Sequence, residues 1–133
     1  MNKSLMQRIK EAEGFSGTVY KCTQGFDTIG YGTKLPITKK GAELLIQLRL
    51  NEKIDRLHKK LDWLDEQPQT VKEILYDMAY QMGVTKIMAF KKTLAYIKDK
   101  DYTNAAKEML DSGWANQTPK RAKRLSKMMR EAK

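Results

Sequence analysis

Glu13, Cys22 and Thr28 are separated by eight and five residues, inside a stretch, "EGFSGTVYKCTQGFDTIGYG", that carries five of the chain's eight glycines. A glutamate in a partly desolvated site can stay protonated near neutrality and give its proton to a leaving oxygen. Cleavage of a glycosidic bond needs such an acid. It also needs a second group on the opposite face of the sugar, to activate water or to stabilise the oxocarbenium ion. Cys22 and Thr28 are the groups available for that face. Each residue also has an ordinary structural reading, as a surface glutamate, a buried thiol and a strand threonine.

The elements that would position these groups can be read from the flanking pattern. In "SLMQRIKEAEG", Leu5, Met6 and Ile9 share one helical face, Ser4 can cap the start and Gly14 stops the helix, so Glu13 is delivered at its C-terminal end. The β-prone runs "TVYKC" and "FDTIGY" flank "TQG", where Gly25 can take the positive φ that a tight hairpin needs. A third strand fits before Pro36. From about Thr38 to Trp63 the chain reads as one long helix, with Leu50, Ile54, Leu57, Leu61 and Leu64 recurring at helical spacing. Pro68 suits the first turn of the next helix, whose apolar positions are Val71, Ile74, Leu75, Met78 and Met82 and whose stop is Gly83. Ile87, Phe90, Leu94 and Ile97 mark another helix. Tyr102, Ala105, Ala106 and Met109 mark one ending near Gly113, and Ala122, Leu125 and Met129 mark the last. The fold class expected is α+β, mainly α: a small β-hairpin lobe (about 14–37), a long connecting helix (about 38–63) and a helical lobe (about 64–133) that takes in the N-terminal helix. Clefts at such lobe junctions suit extended substrates.

Composition narrows the chemistry. The 133 residues fit a single domain able to bury a core. No run approaches the 18 apolar residues of a membrane span, and "MNKSLMQRIKEAEG" lacks the apolar segment of a secretory signal. Cys22 is the lone cysteine, which excludes an internal disulfide and fits a reducing compartment. His58 is the only histidine, so neither a zinc cluster nor a Ser-His-Asp triad is expected, and no cofactor is called for. The net charge of +10 is concentrated in residues 117–133, with seven Lys or Arg against one Glu. Such a surface attracts polyanions: nucleic acid, anionic membranes or acidic wall polymers. It also fits a plain solvated helix face.

The wording of the early stretch adds a resemblance. Glu, eight residues, Asp or Cys, five residues, Thr is similar to the catalytic signature of the phage-type lysozymes, the family of the T-even phage endolysins. "VYKCTQGFDTIGYG" resembles that family's hairpin almost word for word. "QMG" at Gln81 to Gly83, followed by Phe90, is similar to a segment of its helical lobe, and "WANQTPKRAKR" from Trp114 to Arg124 resembles its C-terminal signature. The resemblance implies a lysozyme-like fold and a muramidase that cuts the β-1,4 bond between N-acetylmuramic acid and N-acetylglucosamine in bacterial peptidoglycan. Glu13 would be the general acid, and Thr28 would help position the attacking water. Arg121 would correspond to the arginine that pairs with the catalytic glutamate. Tyr80 and Gln81 would line the cleft, with Thr93 beside them; as structural residues they would be a core aromatic, a helix-packing amide and a helix-surface hydroxyl.

Two departures stand out. Cys22 occupies a place where the T-even enzymes have Asp and other members have Cys; a thiol works there as a charge only if its surroundings favour the thiolate. Lys21 adjoins it. Only four residues, Thr33 to Pro36, separate "GYG" from "ITKKGAELL", where the T-even enzymes carry a longer insertion, so the small lobe is reduced.

Other readings remain open. With a single carboxylate acting as acid and then base, the sugar's own hydroxyl could close on the anomeric carbon, as in lytic transglycosylases. The charged C-terminus alone would suit a basic helical nucleic-acid-binding protein, although no zinc, basic-zipper or RNA-recognition motif accompanies it and specific nucleic-acid binding is not expected. A lysozyme fold retained only for binding is a fourth. The family also implies a monomer that waits in the host cytoplasm and reaches the wall through a separate pore.

Overall fold

The computed structural model describes residues 3–133, which fall into two compact units: one ending at Leu45 and one formed by Ile46–Lys133. The chain is mainly helical with one small sheet, the α+β class expected from the sequence.

In the first unit, helix α1 (Leu5–Glu13) starts at a capping box: the Ser4 hydroxyl accepts from the Gln7 N–H, and the Gln7 side chain accepts from the Ser4 N–H. It stops at Gly14, whose N–H returns to the Lys10 carbonyl at 2.9 Å. Strands β1 (Ser16–Lys21), β2 (Asp27–Gly30) and β3 (Thr33–Lys34) form an antiparallel sheet in that order, so the third strand expected before Pro36 is present. Tyr20 pairs with Thr28, and Thr28 in turn pairs with Lys34. Thr28 thus lies on the middle strand with a neighbour on each side. The register of β1 slips between Ser16 and Tyr20, where the Ser16 hydroxyl donates to the Thr18 carbonyl at 2.7 Å and takes up a carbonyl at the irregularity.

Helix α2 (Lys39–Lys60) follows, with the Thr38 hydroxyl accepting from the Gly41 N–H as an N-cap does. Its first residues belong to the first unit and the rest to the second. The helix ends three residues before Trp63, where the periodicity would carry it, because Leu61 and Leu64 enter the core through a turn and a short 3-10 segment, Leu64–Glu66.

The second unit adds α3 (Gln69–Met82), α4 (Val84–Met88), α5 (Lys91–Lys98), α6 (Tyr102–Leu110), α7 (Gly113–Gln117) and α8 (Pro119–Arg130). Pro68 is the N-cap of α3, one residue outside the first turn. The single helix expected over Ile87, Phe90, Leu94 and Ile97 is two. Phe90 leaves helical geometry (φ −78°, ψ 58°) and sets its ring edge-on to Trp114, 6.3 Å between centroids, while Ile87, Leu94 and Ile97 stay buried. Gly113 does not follow α6 directly: it opens α7, capped by the Ser112 hydroxyl accepting from the Ala115 N–H.

Apolar side chains from all these helices form one core, among them Leu57, Ile74, Leu75, Met78, Ile97, Met109 and Met129, all 0–1% exposed. Each such burial stabilises by roughly 1.5–3 kcal/mol. The polar groups taken in with them are satisfied. Gln67 donates to the Ile97 carbonyl and accepts from the Tyr102 hydroxyl at 2.7 Å, and the Ser126 hydroxyl donates to the Ala106 carbonyl. His58, the lone histidine, is a structural tie. One ring nitrogen lies 2.6 Å from the Tyr76 hydroxyl and the other 2.9 Å from Asp65, fastening the end of α2 to α3. Burial first, then Asp65 and Glu73, pushes the Tyr76 phenol up, so it stays protonated beside the imidazole. Among the described residues no helix is long and apolar enough to cross a membrane.

Candidate active site

Glu13, Cys22 and Thr28 all lie in the first unit, where turns rather than a core place them. Glu13 is the last residue of α1, and its carboxyl stands over Gly32 in the β2–β3 turn. The same turn is fastened to α1 by Tyr31: its ring lies 5.4 Å from that of Phe15, and the Lys10 ammonium is 5.4 Å from its centroid. A depression of about 240 Å³ is lined by Glu13, Gly14, Phe15, Ser16 and Tyr20.

Cys22 heads the turn between β1 and β2. Its N–H donates to the Phe26 carbonyl at 2.9 Å, and its carbonyl accepts from the Gly25 N–H at 2.8 Å, with Gly25 at φ 84°. This loop folds back on the sulfur. The Phe26 backbone amide holds the Cys22 thiol below its ordinary range, partial burial opposes it, and the Gln24 amide, the Thr28 hydroxyl and the Lys34 charge add to the lowering. The cation that acts is therefore Lys34. Lys21, the sequence neighbour, is taken by Asp27 at 2.7 Å. Thr28 is 1% exposed, and its hydroxyl lies within reach of both the Phe26 carbonyl, at 2.9 Å, and the Cys22 sulfur, its one proton serving one of them at a time.

The second unit holds the other four. Arg121 donates from Nε and Nη to Asp77, at 2.8 and 2.5 Å, and also to the Asp77 carbonyl. That pairing joins α8 to α3 and fixes the guanidinium plane. Arg121, Asp77 and the half-exposed Tyr80 line a pocket of about 310 Å³ with Tyr76, Glu73, Ile46 and Leu50. Gln81 turns the other way: its amide oxygen accepts from the Trp114 indole N–H at 2.8 Å and its NH₂ faces the Thr118 hydroxyl at 3.5 Å. It borders a pocket of about 400 Å³ with Phe90 and Trp114. Thr93 is buried, at 3% exposure, and lines a neighbouring cavity of about 450 Å³ that shares Phe90 and Trp114. The structure thus groups Tyr80 with Arg121, and Gln81 with Thr93. Among the described residues no three His, Cys, Asp or Glu side chains stand close enough together to hold a metal ion.

Residues 10–132 match the phage lysozyme family, a span that includes every one of these side chains. The chain belongs to the phage lysozyme family. It is a glycoside hydrolase of the lysozyme type, whose substrate is peptidoglycan. It is similar to probable T4-type lysozyme 1 of Dictyostelium discoideum, 28% identical over 163 residues covering 94% of this chain and 92% of the relative. Probable T4-type lysozyme 2 of the same organism is 27% identical over 157 residues, with the same coverage. Both aligned spans exceed the 133 residues of this lysozyme, so the relatives carry segments that it lacks.

Three parts of the site escape a reading by residue type. Asp77 is 44 residues from Arg121 and announces nothing locally. Trp114 and Thr118, which hold Gln81, stand within the C-terminal block but their target does not. Gly32 matters for what it lacks, and the only signal is the doublet "GYG".

Proposed function

We propose that this lysozyme hydrolyses the β-1,4 bond between N-acetylmuramic acid and N-acetylglucosamine, with Glu13 as the general acid that protonates the glycosidic oxygen. Cys22, as thiolate, stabilises the positive charge that builds at the anomeric carbon. Thr28, fixed between Phe26 and the sulfur, sets where the attacking water stands. Tyr80, Gln81 and Thr93 take part in sugar binding, and Arg121 supports the site with its orientation set by Asp77. The observation that carries this reading is the β1–β2 turn: the Phe26 and Gln24 amides and the Thr28 hydroxyl gather on Cys22 and lower its pKa, the direction a thiol needs to stand where the family signature otherwise has Asp.

Digestion of purified peptidoglycan, with products identified by mass spectrometry, tests it. Wild type should release reducing muropeptides, Glu13→Gln should lose activity by at least about 10²-fold with its thermal midpoint unchanged, and Cys22→Ser should be slower than Cys22→Asp. A Glu13→Gln protein that works at the wild-type rate would remove Glu13 as the acid. Because Cys22 is not a carboxylate, an intramolecular closure is the competing route. Its anhydro products are lighter by one water, and finding them would make the protein a lytic transglycosylase.

A further inference from the structure

Gly30 and Gly32 both take a left-handed backbone, φ 69° and 76°, on either side of Tyr31, and their surroundings differ. A Cβ built on Gly30 meets nothing within 4 Å. One built on Gly32 falls on the Glu13 carboxyl: it overlaps Oε2, lies 2.7 Å from Cδ and 3.2 Å from Cγ. These three atoms of one side chain are its nearest neighbours. Among the described residues, no side-chain hydrogen bond or ion pair holds that carboxyl. The carboxyl instead occupies the space over the bare α-carbon of Gly32, on a turn where Tyr31 packs against Phe15 and Lys10.

We propose that Gly32 is the positioning residue of the acid: the space left by its missing side chain is the seat of the Glu13 carboxyl. The inference rests on the assignment of Glu13 as general acid. A methyl group at Gly32 cannot share that space, and the glutamate, exposed and flexible at its tip, is the partner that yields. The fold therefore loses little beyond the backbone strain of alanine at positive φ. The reaction loses the geometry of its proton donor, and displacement of a reacting group by about 1 Å can cost on the order of 10²-fold.

Gly30 supplies the control, because Gly30→Ala carries the same backbone strain without touching Glu13. Gly32→Ala and Gly30→Ala should lower the thermal midpoint by similar amounts. With a soluble peptidoglycan oligomer as substrate, Gly32→Ala should lower kcat by about 10²-fold with KM little changed. Gly30→Ala should stay within a few-fold of wild type. Added to Glu13→Gln, Gly32→Ala should cost no further activity, since the two act through one carboxyl. Equal losses in Gly30→Ala and Gly32→Ala would overturn the proposal, and so would a full additional loss in the double variant. A fully active Glu13→Gln would instead remove the assignment of the acid, a separate failure. Should Gly32→Ala fold poorly, stability alone decides. Paired with Glu13→Ala, which empties the seat, Gly32→Ala should lower the midpoint no more than Gly30→Ala does, and an excess loss there would place the clash elsewhere and end the proposal.

Discussion

The two units hold their candidate residues by opposite means. In the second, Gln81, Thr93 and Arg121 project from helices whose inner faces form a continuous core; Gln81 is tied to Trp114 and Arg121 to Asp77, each on another helix, and Thr93 is buried. In the first, Thr28 is the one buried residue among those described, and Phe15, Val19, Phe26 and Tyr31 are all more than 40% exposed. Glu13 and Cys22 are placed there by caps, turns and backbone amides. The candidate residues of the helical unit are held by packing, whereas Glu13 and Cys22 are set by local chain geometry, which few apolar contacts reinforce.

The sharpest way to break this contrast is to remove one apolar side chain from each unit. Ile74→Ala should cost about 2–5 kcal/mol in a denaturant melt, because the helices around it cannot collapse onto the gap. Val19→Ala, half exposed in β1, should cost no more than about 0.5 kcal/mol. Comparable losses would mean that the small unit has a core of its own.

A smaller effect sharpens the account of the turn. The folded Cys22 thiol titrates below an unfolded one, so its contribution to stability is fully present above the unfolded pKa and is lost as pH falls through the folded pKa. The stability advantage of wild type over Cys22→Ser should accordingly grow with rising pH across that window. Thiolate absorbance should show the midpoint moving up in Thr28→Val, which deletes one donor and leaves the Phe26 amide in place. An unmoved midpoint would leave the threonine no hold on the sulfur. The mildest test is Ser4→Ala, which removes half of the capping box and should cost about 1 kcal/mol, with faster amide exchange confined to the first turn of α1.

Much of this was legible in the residues, for local reasons. Ser4, Gln7 and Gly14 bracket α1 in chemistry that needs no distant partner, and "TQG" fixes the hairpin in the same way. The spacing of Glu13, Cys22 and Thr28 points to the family, and the match of residues 10–132 bears that out. Sequence reading failed where contacts between helices decided the outcome. The periodicity from Ile87 to Ile97 continues unbroken through Phe90, where the helix breaks and the ring packs edge-on to Trp114, a contact the local pattern does not show. Lys21 seemed the cation for Cys22 by adjacency, but strand register gives it to Asp27 and brings Lys34 instead. Gly32 could not be assigned from its type, since its effect depends on which side chain fills the space beside it.

The bond from the Trp114 indole to Gln81 also has an optical consequence. The protein has two tryptophans, and Trp114, only 7% exposed, sits against Phe90 on the wall between two cavities with its N–H committed to one amide. An indole so placed emits according to the polarity of those cavities and the persistence of that single bond. Trp63, packed at the edge of the core near the end of α2, supplies a steady background. Occupation of the Gln81 side of the helical unit can therefore be followed by intrinsic fluorescence, with Trp63→Phe to isolate the signal and no added label.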